Sequence, residues 1–351
     1  MSWTILVAAT AISAATALGL TPFSIRLANR YQLLDRPGRH KRHDRPIPNV
    51  GGIVLFVSLW LAVSVSLLLS TSFLTELRPF LLYVFCGALI VSGVGFADDL
   101  KPLSAWTKLV AQTAAGLVLY SGGLTINPVT IPFGGSYDIG PLSVLITVAW
   151  VVVLTNAINL IDGLDGLAGG VSLIACVTLI TIATLYHAGS AVLFAYALAG
   201  FLAVFLVFNR YPARIFLGDS GSLQIGYYFA VISLLVPIKS YTAAALYLPL
   251  LALGVPLMET AISFSRRLIS GRNVLKADRR HLFHYLALAG LSPRTVVGIF
   301  YLLSAVWGGF ALAMYFLNRL VVFGLLVLFM VVIFGLFLIF MAGLSRSSKG
   351  R

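Results

Sequence analysis

Residues 156–170 read NAINLIDGLDGLAGG and close an otherwise lipid-like run with two carboxylates, two amides and four glycines. Nothing in a membrane span needs those residues. Asp162 and Asp165 lie three apart, so a helical turn puts them on one side, and Asn159, three before Asp162, joins the same row. Gly163 and Gly166 let the backbone come close to a bulky ligand. The chemistry that fits is a hard cation with phosphate oxygens: Mg²⁺ takes one or two carboxylates, keeps several waters and bridges to phosphates. The bland alternative is a polar turn between two helices, because Asp, Asn and Gly all favour turns.

Four other stretches carry residues of the same kind. In GVGFADDLKPLSAWTK, residues 93–108, Asp98 and Asp99 end a span and Lys101 and Lys108 follow. Adjacent carboxylates at a membrane surface repel unless a cation or a proton sits between them. NRYPARIFLGDSGSLQIGYY, residues 209–228, sets Asp219 among small residues at the start of a span. Unpaired N–H groups at that helix N-terminus favour phosphate, although GDSG also reads as an N-cap. Glu259, in GVPLMETAISFSRR, either pairs with Arg266 or Arg267 or faces the same cleft. In the loop 265–294, Arg279, Arg280, His281 and His284 combine fixed charge with groups that donate to phosphate oxygens. A Zn²⁺ site is the rival reading there, and it needs further ligands, for which His40 and His43 would have to fold over from a remote loop. That loop, 26–49, is basic and Pro-containing. It anchors to anionic headgroups, binds phosphate with His43 among its donors, or does both.

The elements that must position these residues are membrane spans. The chain has 351 residues, is 60% hydrophobic and 10% charged, and has a mean hydropathy of +1.00. No soluble core holds so much apolar surface, so the expectation is a single polytopic domain over residues 1–351. Spans of ~20 residues are expected at about 3–25, 51–70, 79–97, 107–123, 141–158, 167–187, 190–208, 218–236, 243–264, 294–317 and 320–343, eleven in all. The formal charge of +13 does not point to nucleic acid, because every Lys and Arg except Arg78, Lys239 and Arg319 falls in loops on one side. The positive-inside rule then sets the N-terminus outside and the C-terminus in the cytoplasm. The acidic residues other than Glu76 and Asp138 gather on that same cytoplasmic face. A transporter is expected to carry ionisable or unwound features near the midplane, and the spans show no clear one. Cys86 and Cys176 lie inside apolar segments, which speaks against a disulfide framework. No Lys or Arg precedes the first apolar run, which is read as a retained span rather than a cleaved leader. Residues 123–140 alternate and turn like a short extracytoplasmic β-hairpin.

Together the motifs RHKRHDRPIPNVGGI, GFADDLKPLSAWTK, NAINLIDGLDGLAGG, FLGDSGSLQIG, PLMETAISFSRR and ADRRHLFH resemble, in order and over most of the chain, those of the polyprenyl-phosphate N-acetylhexosamine-1-phosphate transferase family. The resemblance implies an all-α integral membrane enzyme of the inner (plasma) membrane, with its active site in cytoplasmic loops. It implies Mg²⁺-dependent transfer, with Mn²⁺ as a substitute, of a sugar 1-phosphate from a UDP-N-acetylhexosamine to undecaprenyl phosphate, releasing UMP. UDP-N-acetylglucosamine is the expected donor, and a second copy of the chain is a candidate partner alongside membrane lipid.

Carried over by position, Asp219 resembles the metal ligand, and Asp98 and Asp99 the carboxylates near the lipid phosphate, with Asp98 orienting or deprotonating the acceptor. Asn159, Asp162 and Asp165 match the nucleotide and metal signature, Lys108 matches a lysine of the same cleft, and Arg279, Arg280, His281 and His284 match the loop that holds the donor. Direct in-line attack is favoured over a covalent aspartyl intermediate. The chain departs from the family where His-x-His-His becomes HLFH, with Phe283 third, and where Glu259 replaces a common aspartate. The absence of three successive histidines separates it from the muramoyl-pentapeptide branch and makes it look like the branch that begins O-antigen, teichoic-acid or other surface glycans. The alternatives are that muramoyl-pentapeptide activity and a non-catalytic transporter or flippase of polyprenyl lipids.

Overall fold

The computed structural model describes residues 3–37, 45–131, 135–185, 189–236, 249–269, 281–318, 320–333 and 335. Among them the helices run α1 (Trp3–Tyr31), α2 (Gly51–Leu69), α3 (Thr71–Leu100), α4 (Ala105–Ser121), α5 (Leu142–Ile161), α6 (Leu167–Leu185), α7 (Gly189–Asn209), α8 (Gly218–Leu235), α9 (Gly254–Ile269), α10 (Leu282–Leu288), α11 (Pro293–Phe316) and α12 (Leu320–Ile333). Seven of these, α1, α2, α3, α5, α6, α7 and α11, are long and apolar enough to cross a bilayer. The other four expected spans fall on α4, α8, α9 and α12. Of these, α4 is cut to 17 residues between its cap Ser104, whose hydroxyl accepts from Thr107 N–H, and Gly122. The expected parts of the last spans at 243–248 and 336–343 lie outside the described residues. The fold is that of an all-α membrane protein.

Lipid-facing and protein-facing helices follow different rules. Leu18, Leu82, Leu145 and Leu302 stand exposed on α1, α3, α5 and α11, as bilayer contact demands. In contrast, α8 is enclosed by α2, α3, α5 and α7, and every side chain from Ser220 to Leu235 is buried. Enclosure lets α8 be polar, and the side chains of Gln224, Tyr227, Tyr228 and Ser233 tie it to its neighbours. Gln224 Nε2 donates to the Gly52 carbonyl at 2.9 Å. The Tyr227 hydroxyl donates to the Val84 carbonyl at 2.9 Å. Trp60 Nε1 donates to the Tyr228 hydroxyl at 2.9 Å, and Trp150 Nε1 to Ser233 Oγ at 2.7 Å. Interhelical bonds of this kind contribute about 0.6–2 kcal/mol each where apolar burial supplies little drive.

A close backbone approach lies where α3 meets the start of α8. A Cβ on Gly95 would collide with the backbone of Ser220, and no flexible side chain stands there to yield. Gly95→Val is therefore expected to part the two helices at a cost of about 1–3 kcal/mol or more, read as a lowered Tm of the detergent-solubilised protein. A Tm equal to that of the wild type would show that α3 and α8 can slide apart freely.

Two further features set the site. The chain at 47–52 zips onto 216–217: Phe216 N–H donates to the Pro48 carbonyl at 2.8 Å, and Gly51 and Gly52 N–H donate to the Phe216 and Leu217 carbonyls at 3.0 Å. That pairing extends the β1 (Leu34–Asp35) and β2 (Ile47–Pro48) ribbon and fixes Asn49 beside α8. Away from it, β3 (Val129–Ile131) and β4 (Gly135–Tyr137) pair antiparallel, with Val129 opposite Tyr137, as expected for residues 123–140.

Candidate active site

The ends of α3, α4, α5 and α8 converge on one ammonium group. Lys108 Nζ lies 2.8 Å from Asp219 Oδ2 and 3.3 Å from Asp98 Oδ2. Asp98 also accepts from Leu103 N–H at 2.7 Å, which folds the α3–α4 turn over its carboxylate. Asn159 Nδ2 donates to the other Asp219 oxygen at 3.1 Å and to Ser222 Oγ at 2.9 Å. Residues from three separate motifs thus meet at one point.

Asp99 plays a different part from its neighbour. Its carboxylate accepts from the backbone N–H groups of Asp219 (2.8 Å) and Ser220 (3.0 Å) and from Asn49 Nδ2 (2.9 Å). The expectation that the α8 N-terminus offers unpaired N–H groups to phosphate is overturned for these two amides, because Asp99 caps them from α3. Nor is Asp219 an N-cap. It sits in the first turn of α8, behind Gly218, whose φ of +73° and contact with Asp99 suit glycine.

The row of Asn159, Asp162 and Asp165 on one helical side is also corrected. Helix α5 ends at Ile161, and Asp162, with φ −81° and ψ 62°, begins a turn that runs to Gly166. Asp162 stays near the centre: burial first, then the charges of Asp219, Asp99 and Asp165, push its carboxyl up to about 8. Asp165 turns to another set of partners, its Oδ2 accepting from Ala213 N–H at 2.8 Å. The end of the turn is pinned by Asn209, whose Oδ1 accepts from Gly166 N–H at 3.0 Å, and by Tyr301, whose hydroxyl donates to the Gly166 carbonyl at 2.7 Å.

The histidine motif leans on the same turn. Glu259, buried on α9, accepts through Oε1 from Leu282 N–H and pairs with His281 Nδ1, both at 3.0 Å. The expected partners Arg266 and Arg267 are not the ones found for this carboxylate. Phe283, stacked on His281 and 4.4 Å between ring centroids from His284, presses against Gly163, where a side chain would collide with the ring. His43, Arg279 and Arg280 lie outside the described residues.

Four contributors were not singled out from sequence. Asn49 stands in the quoted RHKRHDRPIPNVGGI stretch, where an amide before two glycines was the available signal. Ser222, Asn209 and Tyr301 act through single hydrogen bonds and leave no pattern in sequence. Among the described residues, no three His, Cys, Asp or Glu side chains form a group that holds a metal ion unaided. Mg²⁺ asks for less, one or two carboxylates with water and substrate phosphate completing the shell. Asp219 and Asp162 fit that smaller demand: Asp219 stands between Lys108 and Asn159, and the Asp162 carboxyl, raised first by burial and then by its acidic neighbours, is one that a cation would help to ionise.

Residues 81–237, which hold most of this centre, match the glycosyl transferase family 4 model. The chain is 34% identical to a probable undecaprenyl-phosphate N-acetylglucosaminyl 1-phosphate transferase of Bacillus subtilis, over 86% of this chain and 83% of that protein. It is 32% identical to a decaprenyl-phosphate N-acetylglucosaminephosphotransferase of Mycobacterium tuberculosis, over 79% and 74% of the two chains. Against an undecaprenyl-phosphate alpha-N-acetylglucosaminyl 1-phosphate transferase of Escherichia coli K12 the identity is 27%, over 78% and 74%. With the motifs in the same order and the carboxylates gathered at the ends of α3, α5 and α8, the chain belongs to glycosyl transferase family 4, among the polyprenyl-phosphate N-acetylhexosamine-1-phosphate transferases.

Proposed function

We propose that this protein transfers N-acetylglucosamine 1-phosphate from UDP-N-acetylglucosamine to undecaprenyl phosphate, releasing UMP and beginning a lipid-linked surface glycan. The observation that carries the reading is the Lys108 centre, where Asp98, Asp219 and Asn159 meet beside Asp162. In the reaction an oxygen of the lipid phosphate attacks the sugar-linked phosphorus of the donor. The new phosphorus–oxygen bond forms as the bond to the UMP phosphate breaks, and UMP leaves with that electron pair. Such a transfer needs positioning and charge neutralisation more than covalent chemistry.

Each side chain has a task in that scheme. Asp98, on the flank of Lys108, orients the acceptor phosphate or takes its proton. Lys108 offsets phosphate charge, and Asn159 holds the Asp219 carboxylate in register. Asp219, with Asp162, would hold Mg²⁺, which when bound supplies positive charge against the two anionic substrates. Asp99 positions the start of α8, and Asp165 holds the turn against Ala213. His281, oriented by Glu259, would bind the donor with His284, and Arg279 and Arg280 are assigned to the same task from their place in the motif, while Phe283 fills the place of a third histidine. The centre lies on the cytoplasmic side of the inner membrane, with the N-terminus outside, in keeping with the one-sided Lys and Arg distribution.

The test uses purified protein in detergent with undecaprenyl phosphate, Mg²⁺ and a panel of UDP-sugars. UMP and a lipid-linked sugar phosphate are expected together with UDP-N-acetylglucosamine. Silence across the panel would reject the transferase reading, and turnover of the muramoyl-pentapeptide nucleotide alone would reject the donor. Chelation with EDTA is expected to stop UMP release and Mg²⁺ or Mn²⁺ to restore it. Independently of turnover, added Mg²⁺ is expected to raise the Tm of the wild type more than that of Asp162→Asn.

A further inference from the structure

The two glycines of the Asp162–Gly166 turn are bare for different reasons. Gly166 has a φ of +79°, which favours glycine whatever surrounds it. Gly163 has no such φ. Its constraint is a ring: a Cβ built there would lie 2.5 Å from Phe283 Cζ, 2.9 Å from Cε2 and 3.4 Å from Cε1, and these are its three nearest atoms. The ring has little room to retreat, because Phe283 is 2% exposed and belongs to the apolar core.

Phe283 also meets both histidines of its motif. Its ring lies within 12° of parallel to that of His281, with 5.5 Å between centroids, and its centroid is 4.4 Å from that of His284. His281 is tied in turn to Glu259 of α9, and the next amide, Leu282 N–H, donates to the same carboxylate oxygen. Hydrogen bonds therefore fix the motif to α9, and one ring in one gap sets it against the turn that begins at Asp162. A phenyl ring offers no hydrogen bond to a sugar or a phosphate, so its work here is placement. We infer that Phe283, seated in the gap left by Gly163, is a positioning residue that sets His281 and His284 against the Asp162 turn, so that donor binding depends on the combined size of the side chains at 163 and 283. The inference rests on the transferase reading and deepens it: where the family pattern has a third histidine, this chain has a wedge between the remaining two and the turn.

The experiment measures UMP release in detergent by the full chain and by Gly163→Ala, Phe283→Leu and the double variant G163A/F283L, with separate KM values for UDP-N-acetylglucosamine and undecaprenyl phosphate. In Gly163→Ala the ring must move by about 1 Å to regain ordinary contact, and a misplacement of that size costs up to about 10²-fold. The loss is expected in the donor KM, with the acceptor KM unchanged. Leucine ends before the Cε and Cζ atoms that crowd Gly163. G163A/F283L is therefore expected to recover about fivefold or more of the Gly163→Ala loss, although Phe283→Leu alone raises the donor KM by about fivefold, the worth of a lost aromatic pair. If Gly163→Ala does not fold, Phe283→Leu, which adds no atom, carries the test through the same two KM values. No recovery in the double variant would overturn the inference, as would a fall in kcat and Tm with the donor KM unchanged, which marks a contact that serves the fold alone. A lower donor KM in Phe283→His would make the position a donor contact and overturn it too. A wild type that releases no UMP rejects the transferase reading and this inference with it, whereas an active wild type beside a Gly163→Ala protein of unchanged donor KM rejects this inference alone.

Discussion

Asp219→Asn is expected to lower UMP release by about 10²–10³-fold or more, the loss that follows when one preorganised electrostatic partner of a transferring group is removed. The substitution keeps the size of the side chain and one carbonyl oxygen, so Asn159 Nδ2 retains an acceptor. It removes the negative charge that Lys108 meets at 2.8 Å. Folding should survive. The Asp219 side chain is 26% exposed and that of Lys108 24%, so the pair is partly buried, and the amide oxygen that still accepts from Asn159 holds the loss to about 1–3 kcal/mol. The measurement is kcat for UMP release beside Tm. A rate within a few-fold of the wild type would take Asp219 out of the reaction centre, and a collapsed Tm would mean that the carboxylate serves the fold. Asp162→Asn is expected to abolish turnover in the same way, with the fold retained, because burial and then its acidic neighbours already favour the uncharged form of that carboxyl, and the amide keeps an uncharged group of the same size there.

The sequence carried the spans and the motifs further than it carried the contacts between them. Apolar runs with polar breaks locate α1, α2, α3, α5, α6, α7 and α11, because a bilayer fixes both length and composition. Helix α8 is legible as a segment but not as the enclosed centre of the bundle: buried Gln224, Tyr227 and Tyr228 look the same in sequence whether they meet protein or water. Site membership was readable for Lys108 and Asp219, 111 positions apart, because their motifs pointed to one membrane face. Division of labour was not. Asp98 and Asp99 are consecutive and chemically identical, yet one faces Lys108 and the other caps α8, an outcome decided by the rotation of α3 against Ser220 at Gly95. Helical spacing groups Asp165 with Asp162. The chain leaves the helix at Asp162, so that spacing no longer applies.

The separation between the adjacent aspartates leads to the second large effect. Asp99→Ala is expected to lower the Tm and the activity together, whereas Asp98→Asn lowers kcat with little change in Tm. Removing the Asp99 carboxylate strips the acceptor from three donors at once, the Asp219 and Ser220 amides and the Asn49 side chain. Hydrogen bonds to a charged group contribute about 1.5–3 kcal/mol each, and the unpaired donors add their own desolvation cost. Water entering beside the half-buried site offsets part of this, so the expected destabilisation is about 2–4 kcal/mol. Activity follows because the same bonds set the first turn of α8, and with it the Asp219 carboxylate. Asp99→Asn should fall between the two, since its amide nitrogen faces a donor where an oxygen stood. An Asp99→Ala protein that melts like the wild type but releases no UMP would move Asp99 from positioning into the reaction itself, and a stable, active one would show that Asn49 and Gly218 hold α8 in place without it.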